Sequence, residues 1–170
     1  MVYHFKKHKI FISGILIGLA LSTRNVLAIP IIIAFMYELK HKHITFKQLS
    51  IIGIIALFVF TLTFLPFTIN HIEEFKTVNP FIIQSSALMP FELTLLFIFL
   101  AFITGYLCKS EFDVYFYSAL ILFLTIIGYY IYLLTFNDFH NTFFNSIADI
   151  SYFILCLPFA LYYTIQKEKI

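Results

Sequence analysis

The residues best equipped for chemistry sit in the middle of an apolar stretch. Ser22-Thr23-Arg24-Asn25 interrupts an otherwise nearly continuous hydrophobic run from Ile10 to Leu39. A guanidinium offers a planar fork of N–H donors that matches phosphate oxygens in pairs. At membrane depth a charged side chain costs at least ~3 kcal/mol on insertion scales, so a function is its first explanation. Thr23, Arg24 and Asn25 are therefore the candidates for holding a lipid phosphate. The competing reading is an arginine that snorkels to an interface or pairs with a structural carboxylate.

A second polar group is carried by the stretch 68–91, with His71, Glu73, Glu74 and Gln84. Paired carboxylates can move protons or hold a divalent cation. Glu73 and Glu74 are adjacent, however, and adjacent side chains diverge on a helix or a strand. Asp138 and His140, in the stretch 137–145, can join them only through the fold. A solvated helix lying on a membrane is the plainer reading of this loop. His4, His8, His41 and His43 are interleaved with Lys6, Lys7, Lys9, Lys40 and Lys42, whose charge repels a cation. They read as a basic cuff facing anionic headgroups. The sequence has no zinc-ligand spacing, phosphate-binding glycine loop or Ser–His–Asp pattern. No metal or cofactor is expected, and a divalent cation at the external loops has no support.

The elements that must position these residues follow from composition. The chain has 170 residues, 61% hydrophobic and 12% charged, with a mean hydropathy of +0.94. Soluble domains carry about 25% charged residues. The composition predicts an all-α fold, a polytopic transmembrane helical bundle with a broken or hairpin first segment and four further transmembrane helices. The later apolar runs are Ile51–Phe67, which ends at Pro66, then Leu93–Leu107, Val114–Phe136 and Ile147–Ile165. Each approaches the ~20 residues that cross a bilayer. The expected layout is a single membrane domain over 1–170, with a hairpin at 10–39 and helices at about 49–68, 91–108, 114–136 and 146–166. The external loops are then 68–91 and 137–145. The net charge of +2 excludes nucleic acid as a partner, since no basic stripe accompanies it. Cys108 and Cys156 fall at different depths and are expected to be unpaired. Asp149 reads as a charge at the start of the last helix, and no cleavable leader is expected.

Lysine placement tests the layout. With a cytoplasmic amino terminus and a hairpin at 10–39, Lys6, Lys7, Lys9, Lys40, Lys42, Lys47, Lys109, Lys167 and Lys169 all fall inside. Only Lys76 falls outside, with Arg24 at the hairpin tip. One straight span over 10–39 would be ~45 Å long and would break this asymmetry. The first leg, Ile10–Leu21, rises only ~18 Å, so the tip is expected in a shielded cavity rather than at the far surface. Gly14 and Gly18 form a small-residue face expected to close the hairpin. Tyr129, Tyr130 and Tyr132 read as interface anchors in a chain without Trp. The richness in Phe, Ile, Tyr, Lys and Asn suggests an AT-rich bacterial genome. Bacterial inner-membrane residence with both termini cytoplasmic is the expected localisation.

Ser13-Gly14-Ile15-Leu16-Ile17-Gly18-Leu19-Ala20-Leu21-Ser22-Thr23-Arg24, followed by an apolar leg with Pro30, resembles a recurring segment of the GT-C superfamily of membrane glycosyltransferases. Leu65-Pro66-Phe67 and Asn79-Pro80-Phe81 look like the helix end and external loop that follow it there. The resemblance covers roughly the first half of the chain. It implies a polyprenyl-phosphate-linked sugar as substrate, an external site with Arg24 near the carrier phosphate, and a role in envelope glycan or glycolipid assembly. It also implies a catalytic Asp or Glu in an external loop upstream of the segment. The chain thus looks like a carboxy-terminal half, with a second chain as the expected partner supplying the amino-terminal half. The alternative is a non-enzymatic integral membrane protein, an accessory subunit or a transporter or flippase fragment. No second helix break matches the first, which weighs against a transporter.

Overall fold

A computed structural model of the chain describes residues 7–73, 91–136 and 150–167. Among them are six α-helices and no strand. Helix α1 (Lys7–Thr23) leads through a 3-10 turn (Asn25–Leu27) into α2 (Ala28–Lys40). Then come α3 (Phe46–Asn70), α4 (Phe91–Leu107), α5 (Glu111–Phe136), a 3-10 segment (Ile150–Cys156) and α6 (Leu157–Lys167). The all-α expectation holds.

Local chemistry fixes the helix ends. The Thr45 N–H donates to Gln48 Oε1 (2.8 Å), and the Gln48 N–H donates back to Thr45 Oγ1 (3.3 Å). The Ser110 N–H donates to Asp113 Oδ2 (2.9 Å), and the Asp113 N–H returns to Ser110 Oγ (3.3 Å). Both are capping boxes, which satisfy otherwise unpaired first-turn donors. They start α3 and α5 at Phe46 and Glu111, ahead of the apolar runs that suggested starts near 49 and 114. At the end of α2, the His43 N–H donates to the Glu38 carbonyl (3.0 Å) and the Lys42 N–H to the Leu39 carbonyl (3.1 Å). This is a Schellman motif, with Lys42 in the left-handed region at φ 57°.

The structure differs from expectation at Pro66 and in the last apolar run. Helix α3 continues through Pro66 to Asn70. The missing N–H removes one ladder bond close to the helix end, and the helix survives it. The last run is not one helix but a 3-10 segment followed by the 11 residues of α6. Pro158 is the second residue of α6, where first-turn N–H groups are unpaired in any case.

Glycines set the packing. A Cβ on Gly14 would lie 2.7 Å from Ile55 Cβ, and one on Gly18 would lie 2.6 Å from the Ala56 carbonyl oxygen. The small-residue face of α1 is therefore closed by α3, not by α2. Gly105 of α4 is pressed in the same way against Ile33 and Met36 of α2, and Gly128 of α5 against the Phe97 ring of α4. One core joins α2, α4 and α5 through Ile29, Ile33, Tyr37, Phe97, Ala101 and Ile121. A second joins α5 to the last segment through Leu122, Ile126, Tyr129, Tyr130, Leu133 and Cys156. Tyr129 and Tyr130, expected at an interface, are buried.

These contacts give helix directions. Gly14 then Gly18 meets Ile55 then Val59, so α1 and α3 run parallel. Since α3 starts a few residues after α2 ends, the start of α1 lies beside the end of α2, and the two form a hairpin. Gly105 beside Ile33 and Met36, with Lys40 bonded to Cys108, makes α4 parallel to α2. The Tyr115 ring packs against Tyr162 and the Phe123 ring meets Phe153 edge-on, so the last segment runs antiparallel to α5. The starts of α1, α3 and α5 and the ends of α2, α4 and α6 thus share one end of the bundle. That end carries Lys9, Lys40, Lys42, Lys47 and Lys109, while Arg24 lies toward the other. Among the described residues, two helices are long and apolar enough to cross a membrane, Phe46–Pro66 and Glu111–Thr135, with mean hydropathies of 2.4 and 2.0.

Candidate functional site

The break between α1 and α2 is built from backbone first. Arg24 is extended, at φ −149° and ψ 110°. Its N–H still donates to the Ala20 carbonyl (3.1 Å), and its carbonyl accepts from the Leu27 N–H (3.1 Å). The chain therefore reverses without leaving either group unbonded. The Ser22 hydroxyl donates to the Leu19 carbonyl (2.8 Å) and the Thr23 hydroxyl to the Ala20 carbonyl (2.7 Å). The Ala20 carbonyl already accepts the Arg24 N–H, so the Thr23 hydroxyl occupies its second lone pair. Thr23 thus spends its only side-chain proton on its own helix. Arg24, half-buried, and Asn25, exposed, carry the N–H donors of the trio. Val26 packs against both cores and anchors the turn.

Register places this turn below the ends of its neighbours. Continuing the Gly18–Val59 pairing along two parallel helices sets Arg24 level with about Phe64, so α3 runs on by ~9 Å to Asn70. The Ile33–Gly105 pairing sets Val26 near the level of Phe97, and α4 starts ~9 Å above that. Phe97 meets Gly128, from which α5 climbs ~12 Å to Phe136. The guanidinium-bearing turn is recessed within three longer helices. The short first leg made this expectation, and the helix registers supply its depth.

The remaining predicted residues separate into two groups. His71 and Glu73 are exposed just beyond α3, at the same end as Arg24 but above it. Glu74, Gln84, Asp138 and His140 lie outside the described residues, as do His4 and Asp149. Among the described residues no group of three or more His, Cys, Asp and Glu side chains is placed to hold a metal.

The opposite end holds chemistry that the sequence reading passed over. Lys40 Nζ donates to the Cys108 carbonyl (3.0 Å) at the end of α4 and lies 5.3 Å from the Tyr106 ring centroid. A cation there suits the negative end of the α4 dipole. His43 Nδ1 approaches Glu38 Oε2 to 3.2 Å, and the His41 ring packs 4.5 Å from that of Tyr37. Part of the basic cuff is thus engaged with the protein itself. Glu38 is 4% exposed. An acidic residue ending an apolar run amid Lys and His was the available clue to it. Asp113 is also held by its surroundings. Its Oδ2 accepts from the Lys109 N–H (2.8 Å) and the Ser110 N–H (2.9 Å).

A cavity of about 500 Å³ separates the legs of the hairpin. Its walls are mostly apolar and come from α1, α2, α5 and α6. It extends from Lys9 and Glu38 at the basic end to Ala20 and Leu27 beside the break. The cavity exists because the glycine face of α1 is turned away, toward α3. Comparison of the chain with protein-family models, with curated proteins and with solved structures finds no match in any of the three.

Proposed function

We propose that this chain is a multi-pass membrane protein that binds the phosphate of a polyprenyl-phosphate-linked sugar at Arg24. The recess is the observation that carries the reading. A guanidinium held at a helix break, ~9 Å below the ends of longer helices, is placed to meet a phosphate at the headgroup level rather than open water. The membrane setting is supported by the apolar residues that the bundle leaves uncovered. Ile54, Leu57 and Phe58 of α3 are 68%, 65% and 63% exposed, and a contiguous apolar face of that kind requires a lipid or protein cover. The lysine-rich end then faces the cytoplasm of a bacterial inner membrane, and the Arg24 turn faces outward.

The reaction class rests on the GT-C resemblance of residues 13–30. Within it, Arg24 stabilises the phosphate as the sugar leaves, and a carboxylate on a second chain activates the acceptor hydroxyl. Binding of a radiolabelled polyprenyl-phosphate-sugar to the purified chain, followed by transfer in membranes that contain the partner, tests both parts. Arg24→Ala is expected to weaken binding by ~10–100-fold, the value of a charge-assisted pair. Unchanged binding removes Arg24 from the site. Binding without any transfer leaves the chain as a non-enzymatic accessory subunit.

A further inference from the structure

The cavity between the hairpin legs contains two polar groups that nothing in the proposed phosphate site uses. Among the described residues Glu38 Oε1 has no hydrogen-bond partner, Oε2 is engaged only by His43 Nδ1 at 3.2 Å, and the Tyr115 hydroxyl has no partner. Glu38 and Tyr115 both line the cavity, as does Lys9. A buried acceptor without a donor is costly, and a ligand that supplies N–H groups removes the cost. Along α2 the cavity runs from Glu38 to Leu27, ~16 Å, which is about the depth of one leaflet of a ~30 Å hydrocarbon core. Its walls suit an acyl chain. Its basic end presents an anion, a hydroxyl and a cation together.

We infer that this cavity binds a phospholipid with a primary ammonium headgroup from the leaflet at the basic end. The ammonium donates to Glu38 and Tyr115, the phosphate faces Lys9, and one acyl chain lies between α1 and α2. The site rests on the membrane reading and is independent of the sugar-transfer reading. It is at the opposite end of the bundle from Arg24.

The test is lipid retention by the full chain in bilayer nanodiscs, extracted and measured by native mass spectrometry. Phosphatidylethanolamine, phosphatidylcholine and phosphatidylglycerol with identical acyl chains are supplied in equal amounts. The choline headgroup keeps the charge but has no N–H donor, so ethanolamine lipid is expected to be retained at least ~10-fold better than choline lipid. Glu38→Gln is expected to abolish that preference, and Tyr115→Phe, which keeps the ring packing, to reduce it. Equal retention of ethanolamine and choline lipids by the unaltered chain overturns the site, whatever the variants do. So does a preference for phosphatidylglycerol. A chain that does not enter bilayers at all overturns the membrane reading and this site with it.

Discussion

Gly18 of α1 lies so close to Ala56 of α3 that a Cβ on the glycine would stand 2.6 Å from the alanine carbonyl oxygen. The Ala56 backbone and the stiff Val59 side chain, whose Cβ would be 2.8 Å away, occupy the space. The hairpin is consequently held from outside, by α3 gripping its first leg and by α4 and α5 gripping its second. The legs themselves stay apart, and the cavity lies between them.

Gly18→Val therefore cannot be absorbed by a rotamer change. It is expected to destabilise the chain by ~1–3 kcal/mol or more, the usual cost of overpacking, read as a lower melting temperature in detergent. Gly53 is the internal control, because a Cβ there meets nothing within 4 Å. Gly53→Ala should leave the melting temperature unchanged or raise it, since alanine gains up to ~1 kcal/mol over glycine inside a helix. Equal losses from the two substitutions would contradict the α1–α3 contact.

Lys42 is the one non-glycine residue at positive φ among the described residues, and it closes the α2 Schellman motif. A left-handed lysine costs ~1–2 kcal/mol that glycine avoids, less the extra freedom glycine has when unfolded. Lys42→Gly is expected to stabilise the chain by under ~1 kcal/mol, measured by the same thermal transition. A clear loss of stability would mean that the Lys42 side chain has a role the backbone does not reveal.

Much of this architecture was legible in the sequence, and the illegible parts have a common cause. Hydrophobic runs located the helices, and lysine placement located the reversal at Arg24, because both depend on local composition. Thr45-Phe46-Lys47-Gln48 and Ser110-Glu111-Phe112-Asp113 are readable caps that set two helix starts more sharply than hydropathy does. The partner of Gly14 and Gly18 was not readable. A small-residue face announces close approach but not by which helix. Pro66 shows the same limit. Whether a proline ends, interrupts or merely passes through a helix depends on which neighbouring groups are already unpaired. Glu38 and the cavity it lines required the packing of four elements.

Asp113 closes the cap that starts α5, its Oδ2 accepting from the Lys109 and Ser110 N–H groups at 2.8 and 2.9 Å. Asp113→Ala is expected to cost ~1 kcal/mol, the usual worth of a cap, read as a lower melting temperature in detergent. An unchanged melting temperature would contradict the capping role.

The account stands most directly on the sidedness of the hairpin. With Cys108 and Cys156 replaced by alanine, single cysteines at Asn25 and Lys42 are reacted with a membrane-impermeant maleimide in intact spheroplasts and again after permeabilisation. Both positions are exposed, so both thiols can react once reached. The account predicts labelling of Asn25→Cys from outside and of Lys42→Cys only after permeabilisation. Labelling of both positions from the same side would contradict it.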